Sequence, residues 1–229
     1  GGYQSREILE TLRVGHAQHD VPIAPYTEKT VMVDDVLRSK TRMAGSYTAA
    51  APLVLVGGSH SAFAAAWMLL NKSEATFGEK SIVMLCRSGI RLFYSTVDDA
   101  IRDNYPHDST ADVCPHTGRV NRYSGLRGAA RDLARNVIIN ESETRLRVVQ
   151  ADATADGAAT IEALLDRAQH IVVATGYAAR LPKNISDENG NPLALHCDSS
   201  GALIVSPRGE CMAVAADGAP SVLTGIYAF

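Results

Sequence analysis

The chain has 229 residues, 46% of them apolar and 21% charged, with a formal net charge of −3; this balance supports a sizeable core and fits one large domain or one and a half. It excludes nucleic acid as a partner class, because no Lys/Arg-rich run with interleaved aromatics offers a groove for a phosphate backbone. The longest apolar stretch, Ala49 to Gly58, is well short of the ~20 residues needed to cross a bilayer, and the N-terminus lacks the basic-then-apolar layout of a secretory signal.

No membrane association is therefore expected. Cys86, Cys114, Cys197 and Cys211 are scattered without a CxxC pair, as expected in a reducing cytoplasm. His16-x-x-His19 and Cys114-Pro115-His116 hold metal-competent side chains without a convincing second pair, so no metal site is read from them.

From Gly1 to about Ser46 the pattern is mixed. Val21 to Pro25 favours extended backbone, Thr30 to Val33 reads as a short strand, and Asp34 to Leu37 opens a short helix with acids at its positive end. Leu53-Val54-Leu55-Val56 is a continuous β-rich run of the kind found in parallel strands covered on both faces. Gly57 to Ala62 follows at once, and Phe63 to Leu70 favours helix. Ser81 to Cys86 repeats the buried-strand pattern, completing a βαβ unit with a right-handed crossover.

The stretch from Arg91 to Leu133, with its Pro, Gly and His content, reads as an excursion over the core sheet. Within it Leu126 to Leu133 is expected to be helical. Val137-Ile138-Ile139, Arg145 to Val149 and His170 to Val173 are strand candidates, with a helix from Thr160 to Ala168. Turn residues from Asp187 to Asn191 precede short strand candidates at Leu203 to Val205 and Val222-Leu223.

A dinucleotide site needs a turn that brings backbone N–H groups against a diphosphate, with a helix N-terminus aimed at the charge. Gly57-Gly58-Ser59-His60-Ser61-Ala62, continuing to Phe63, has that layout. Gly57 serves the turn and Ala62 is small enough for close helix–strand packing. Ser59 stands where the fingerprint has its second glycine, and Ser61 adds a donor. At the end of the second strand an acid would hold the ribose 2′-OH of NAD, whereas Arg87 and Ser88 offer a cation and a hydroxyl to the 2′-phosphate of NADPH. His60 is expected either to line the nicotinamide pocket or to face solvent.

The glycine turn, paired with Val172-Val173-Ala174-Thr175-Gly176-Tyr177 and the following Leu181-Pro182, resembles the nicotinamide domain of flavoproteins with two dinucleotide-binding domains, and most of all the flavin-containing and N-hydroxylating monooxygenases. The resemblance covers roughly Pro52 to Pro182. It implies an α/β fold with a Rossmann-like three-layer parallel sheet and a long insertion, flanked by partial flavin-domain segments. Residues 1–46 are then a flavin-domain remnant and linker, 47–181 the NAD(P)-binding domain, and 182–229 a return segment.

The resemblance further implies NADPH as cofactor, held by Gly57 to Phe63, Arg87, Ser88 and Ala174 to Tyr177. FAD is implied for the full-length parent, since the family's first glycine fingerprint would lie upstream of Gly1. Gly1 to Gln4 would then be the remnant of a flavin-domain turn, and Val222 to Phe229 the start of that domain's final strand and helix. Hydride passing from NADPH to flavin, oxygen activation and a small-molecule substrate are the expected chemistry. A flavin-linked reductase without oxygen insertion and a non-catalytic dinucleotide-binding module share every motif quoted.

Overall fold

Two continuous apolar runs can both be strands only if helices cover both their faces, and that requirement sets the architecture. The computed structural model describes residues 8–16, 19–151, 153–176, 186, 190–198, 203–214 and 220–227. Contacts divide the chain into a larger unit, Gln4–Gly176, and a smaller one, Tyr177–Phe229 with Gly1–Tyr3.

In chain order the larger unit runs α1 (Ile8–Thr11), β1 (Arg13–His16), β2 (His19–Pro22), β3 (Thr30–Met32), α2 (Val33–Leu37), β4 (Ser46–Tyr47), β5 (Leu53–Val56), α3 (His60–Lys72), β6 (Thr76–Phe77) and β7 (Ile82–Cys86). It continues through α4 (Val97–Arg102), α5 (Gly128–Ile138), β8 (Leu146–Gln150), α6 (Ala155–Arg167) and β9 (His170–Val173). The central sheet has five strands in the order β3-β9-β5-β7-β8, and every pairing is parallel. The fold is α/β and Rossmann-like.

Successive strand residues point to opposite faces, and the two faces build two cores. Leu53, Leu55, Ile82, Met84 and Val172 pack towards α2, α3 and α5. Val54, Val56, Val83, Leu85, Ile171 and Val173 pack towards α6 and the β1–β2 hairpin. This is the expected three-layer arrangement. Helix α3 buries Ala62, Phe63, Ala65, Ala66 and Leu69; truncating a side chain like Phe63, wholly buried, costs about 3–5 kcal/mol. Helix α6 starts where the Thr154 hydroxyl accepts the Gly157 N–H at 3.1 Å, an N-cap that satisfies one orphan donor.

The structure departs from the sequence reading in places. Val137-Ile138-Ile139 is no strand: Val137 and Ile138 close α5. Ala130, Leu133 and Ala134 are buried and Val137 packs on the same core, so an i, i+3, i+4, i+7 stripe carries the helix past the local β preference. The sheet also reaches outside residues 47–181, because β3 pairs with β9 at its edge. The excursion between β7 and β8 contains α4 and α5 and is tied down by bridges between Leu92 and Leu126 and between Tyr94 and Val120. Arg135 and the Tyr94 hydroxyl both bind the Asp103 carboxylate, which holds that carboxyl below its ordinary range, Arg135 contributing most.

The smaller unit contains β10 (Ala194–Leu195), β11 (Glu210–Val214) and β12 (Pro220–Tyr227) as an antiparallel sheet in that order. Leu203 and Val205 make isolated bridges, to Cys197 and Cys211. Gly1 to Gln4, Leu181-Pro182, most of the turn at 187–191 and the last two residues, all used in the sequence reading, lie outside the described residues. Among the described residues no helix is long and apolar enough to cross a membrane.

At the start of β9 the His170 Nδ1 meets the hydroxyl of buried Tyr47 at 2.8 Å, and burial lowers the imidazole pKa from its ordinary 6.5. The unfolded chain therefore takes up this proton first, so stability from the site is complete above about pH 6.5 and is lost as the pH falls through the folded-state value. Urea unfolding should show wild-type stability dropping more steeply below that pH than stability of His170→Gln. Tyr47→Phe should cost about 1 kcal/mol at neutral pH.

Candidate functional site

The site begins where β5 stops. Gly57 has φ of +130°, a conformation open to glycine and closed to residues with a Cβ. A Cβ there would also overlap the Ala174 carbonyl oxygen. The end of β9 thus lies directly against the glycine turn, and the two sequence motifs meet through their backbones. Gly58 has a separate reason to be glycine: a Cβ would come within 2.8 Å of Cys86 Cβ and Ile90 Cδ1. Ser59, at φ −99° and ψ −176°, is ordinary extended backbone, which explains why a side chain is tolerated where the fingerprint has glycine.

A cavity of about 560 Å³ opens at this turn, within the range of small-molecule and cofactor sites. Gly57, Gly58 and Ser59, Arg87 and Ser88 after β7, and Ala174 and Thr175 after β9 all line it. These are the C-terminal ends of neighbouring parallel strands, where open α/β sheets bind ligands.

Backbone donors at the turn divide cleanly. The Gly57 amide donates to the Leu85 carbonyl at 2.7 Å, and the Phe63 amide begins the helical ladder on the Ser59 carbonyl at 3.1 Å. Both are spent. The amides from Gly58 to Ala62 have no acceptor among the described residues, and the Ser59 side chain does not cap the helix, bonding the Ser61 hydroxyl at 3.3 Å instead. Donors of a 13-residue helix are thereby left for an anion.

Charge on the lining agrees. Among the described residues Arg13, Arg87 and Arg91 line the cavity together with no Asp or Glu. Arg13 alone has a carboxylate, Asp20 at 2.6 Å. Such a cavity favours an anionic ligand with more than one charged group.

The remaining expected residues fall elsewhere. Ala62 and Phe63 are wholly buried and pack α3 onto the sheet. Ser61 and Gly176 do not line the cavity, and Tyr177 lies outside the described residues. His60 does not line the cavity; it is exposed, the second of its two expected placements, and its Nε2 also accepts the Arg127 N–H at 3.0 Å. The excursion is thereby tied to the glycine turn.

Several cavity residues were missed. Leu12 to Gly15 reach it from the β1–β2 hairpin, Arg91 and Ser124 from the excursion. Arg13 and Asp20 face each other near the open end of a hairpin paired Arg13 to Pro22, a local signal that was available, but nothing local points that hairpin at the turn. Cys86 lines the cavity as a buried thiol whose pKa burial raises, the opposite of an activated nucleophile. Among the described residues no three His, Cys, Asp or Glu side chains cluster as a metal site.

No protein-family model matches the chain. Among curated proteins it is similar to a CMP-5'-(3-aminopropyl)phosphonate hydroxylase of Streptomyces rubellomurinus, with 32% identity over 187 residues, or 80% of this chain and 40% of that protein. The chain therefore spans well under half the length of this relative. Among solved structures it is similar to L-lysine 6-monooxygenase from Pseudomonas syringae, with a TM-score of 0.41 and 14% identity over 81% of this chain and 48% of that one.

The two positions of the turn should respond differently to substitution. Gly57→Ala should cost more than about 2 kcal/mol, from a forbidden φ and the Ala174 carbonyl together, whereas Ser59→Gly should stay within about 1 kcal/mol. Urea denaturation of both variants measures the contrast.

Proposed function

We propose that the cavity at the ends of β5, β7 and β9 binds NADPH, and that the chain is the nicotinamide-nucleotide part of a flavin-dependent oxidoreductase of the monooxygenase kind. The observation that carries this reading is the glycine turn itself. Gly57 and Gly58 each leave space that a Cβ would fill, and uncommitted amides follow at the start of α3. A diphosphate fits there in shape and in charge.

In this reading the uncommitted amides from Gly58 onward receive the diphosphate, with the Ser59 hydroxyl at the cavity wall and the Ser61 hydroxyl hydrogen-bonded to it. Arg87 and Ser88 take the 2′-phosphate. Ala174 and Thr175 bound the nicotinamide side. Ala62 and Phe63 act by fixing α3 against the sheet, and His60 by holding Arg127. Bound NADPH supplies a hydride, while the chain binds and orients the dinucleotide and contributes no acid or base to that transfer.

FAD is assigned to the full-length parent. Among the described residues one strand, glycine turn and helix is formed, and NADPH takes it in this reading, so no step here is built on a flavin. The hydroxylase activity in the relative's name favours a monooxygenase over a flavin-linked reductase or a non-catalytic module. A small-molecule substrate and a cytoplasmic setting belong to the same proposal.

Calorimetric titration with NADPH and NADH tests the site. The wild-type protein should prefer NADPH by at least about tenfold, because a charge-assisted contact contributes roughly 1.5–3 kcal/mol. Arg87→Ala should erase the preference while leaving NADH affinity unchanged. Equal affinities in the wild type would remove the 2′-phosphate assignment, and absence of binding by either would remove the dinucleotide site.

A further inference from the structure

Beside the cavity, and sharing Arg91 and Ser124 with it, lies a surface to which the reading above assigns no role. From Val113 to Arg131 the chain contains four arginines, Arg119, Arg122, Arg127 and Arg131, and no Asp or Glu. Their spacing is too sparse to read as a basic run, but folding gathers them with residues 91–93. The Leu126 amide donates to the Arg91 carbonyl at 2.8 Å and the Phe93 amide to the Leu126 carbonyl at 3.0 Å, so the two segments lie side by side. Leu92 and Leu126 are buried. Alternation along an extended pair then turns Arg91, Phe93 and Arg127 to the other side.

The cations on this side are held by neutral groups. Arg127 stacks on the Phe93 ring at 4.1 Å and donates to the Arg122 carbonyl. Arg91 donates to the Ser124 hydroxyl at 3.4 Å. Among the described residues neither guanidinium has a carboxylate partner. Both are ordered by their neighbours without being neutralised, which lowers the cost of fixing them on a ligand.

Arg122 is different. It donates to Cys114 Sγ at 3.4 Å, where the Thr117 hydroxyl and then Arg122 pull the thiol pKa down to about 6. Its charge is thus largely answered at neutral pH. Its guanidinium lies against the Tyr123 ring at 4.9 Å from the centroid, and that ring is 83% exposed. Tyr123, open to water, lies in the chain between Arg122, whose carbonyl Arg127 holds, and Ser124, whose hydroxyl Arg91 holds, so the ring shares one short segment with both cations.

We propose that this surface is a subsite for a nucleoside 5′-phosphate group carried by the substrate, with Arg91, Arg127 and the Ser124 hydroxyl on the phosphate and Tyr123 stacked on the base. Charge complementarity selects the phosphate, and the open ring selects a planar partner. The group is not that of NADPH. Tyr123, Arg122 and Arg127 do not line the cavity, and among the described residues the surface shares Arg91 and Ser124 with it, so a phosphate held here stands at the cavity mouth. Assigning the group to a substrate rests on the oxidoreductase reading above; the binding site itself does not.

The test is calorimetric titration of the protein with CMP, AMP, inorganic phosphate and a short single-stranded RNA, with NADPH titrated in parallel. CMP or AMP should bind more tightly than phosphate. Tyr123→Ala should weaken that binding about tenfold, the scale of one base–aromatic stack, while Tyr123→Phe stays close to wild type. Arg127→Gln should weaken phosphate-bearing ligands and not the free nucleoside. NADPH affinity should be unchanged in Tyr123→Ala, and binding of CMP in a protein that fails to bind NADPH would uphold this subsite while removing the cavity reading.

The proposal is overturned if wild type binds neither nucleotide, or if Tyr123→Ala binds them as wild type does. It is equally overturned if NADPH displaces CMP and Arg87→Ala abolishes CMP binding, which would assign the nucleotide to the cavity. RNA binding far tighter than either mononucleotide would make the surface a nucleic-acid site instead.

Discussion

Two backbones meet at the mouth of the sheet with no room for a side chain between them. Gly57 turns out of β5 against the carbonyl of Ala174 at the end of β9, and both strands keep their parallel register up to that point, Val56 opposite Val173. This contact sets where α3 begins, with Gly58 and Ser59 at the cavity wall and the amides from Gly58 to Ala62 left without an acceptor among the described residues. A bulkier residue would have to move β9 or unwind the start of the helix, and either would move Arg87 and Thr175 relative to the turn. Position here is a consequence of packing: Phe63 and Ala62 anchor the helix, and the LVLV and IVMLC runs, buried on both faces, leave the sheet little freedom to adjust.

Electrostatics then decides what such a geometry can hold. The helix terminus contributes partial positive charge, Arg13, Arg87 and Arg91 contribute whole charges from separate segments, and among the described lining residues there is no carboxylate, Asp20 answering Arg13 from outside the cavity. Two acids of the excursion are drawn elsewhere, Asp103 to Arg135 and Asp99 to Arg102. A chain with a net negative charge has thus separated its charges so that one face of the sheet edge is cationic. This matters more for what binds there than the overall charge does.

Much of this was legible in the residues. Continuous β-rich runs gave away β5, β7 and β9, because a strand covered on both faces has no polar period to obscure it. The glycine turn was readable for the same reason, and its one irregularity, Ser59, turns out to sit at a φ that any residue adopts. What stayed hidden was long-range. Val137 and Ile138 have strand-forming side chains, and only the packing of α5 on the core makes them helical. The β1–β2 hairpin gave no hint that Arg13 would reach a turn more than forty positions away. His60 is exposed, one of its two expected placements, but its bond from the Arg127 amide was not legible because that partner lies 67 positions along the chain.

The central claim is that amides at the start of α3 receive a diphosphate, and titrating NADPH into isotope-labelled protein while following backbone amide resonances tests it most directly. The account predicts that Gly58, Ser59, His60 and Ser61 shift together with one saturation curve, and that the Gly57 amide, committed to the Leu85 carbonyl, shifts less. Saturable binding that leaves those four resonances unmoved, with the changes gathered on another part of the chain, would contradict it.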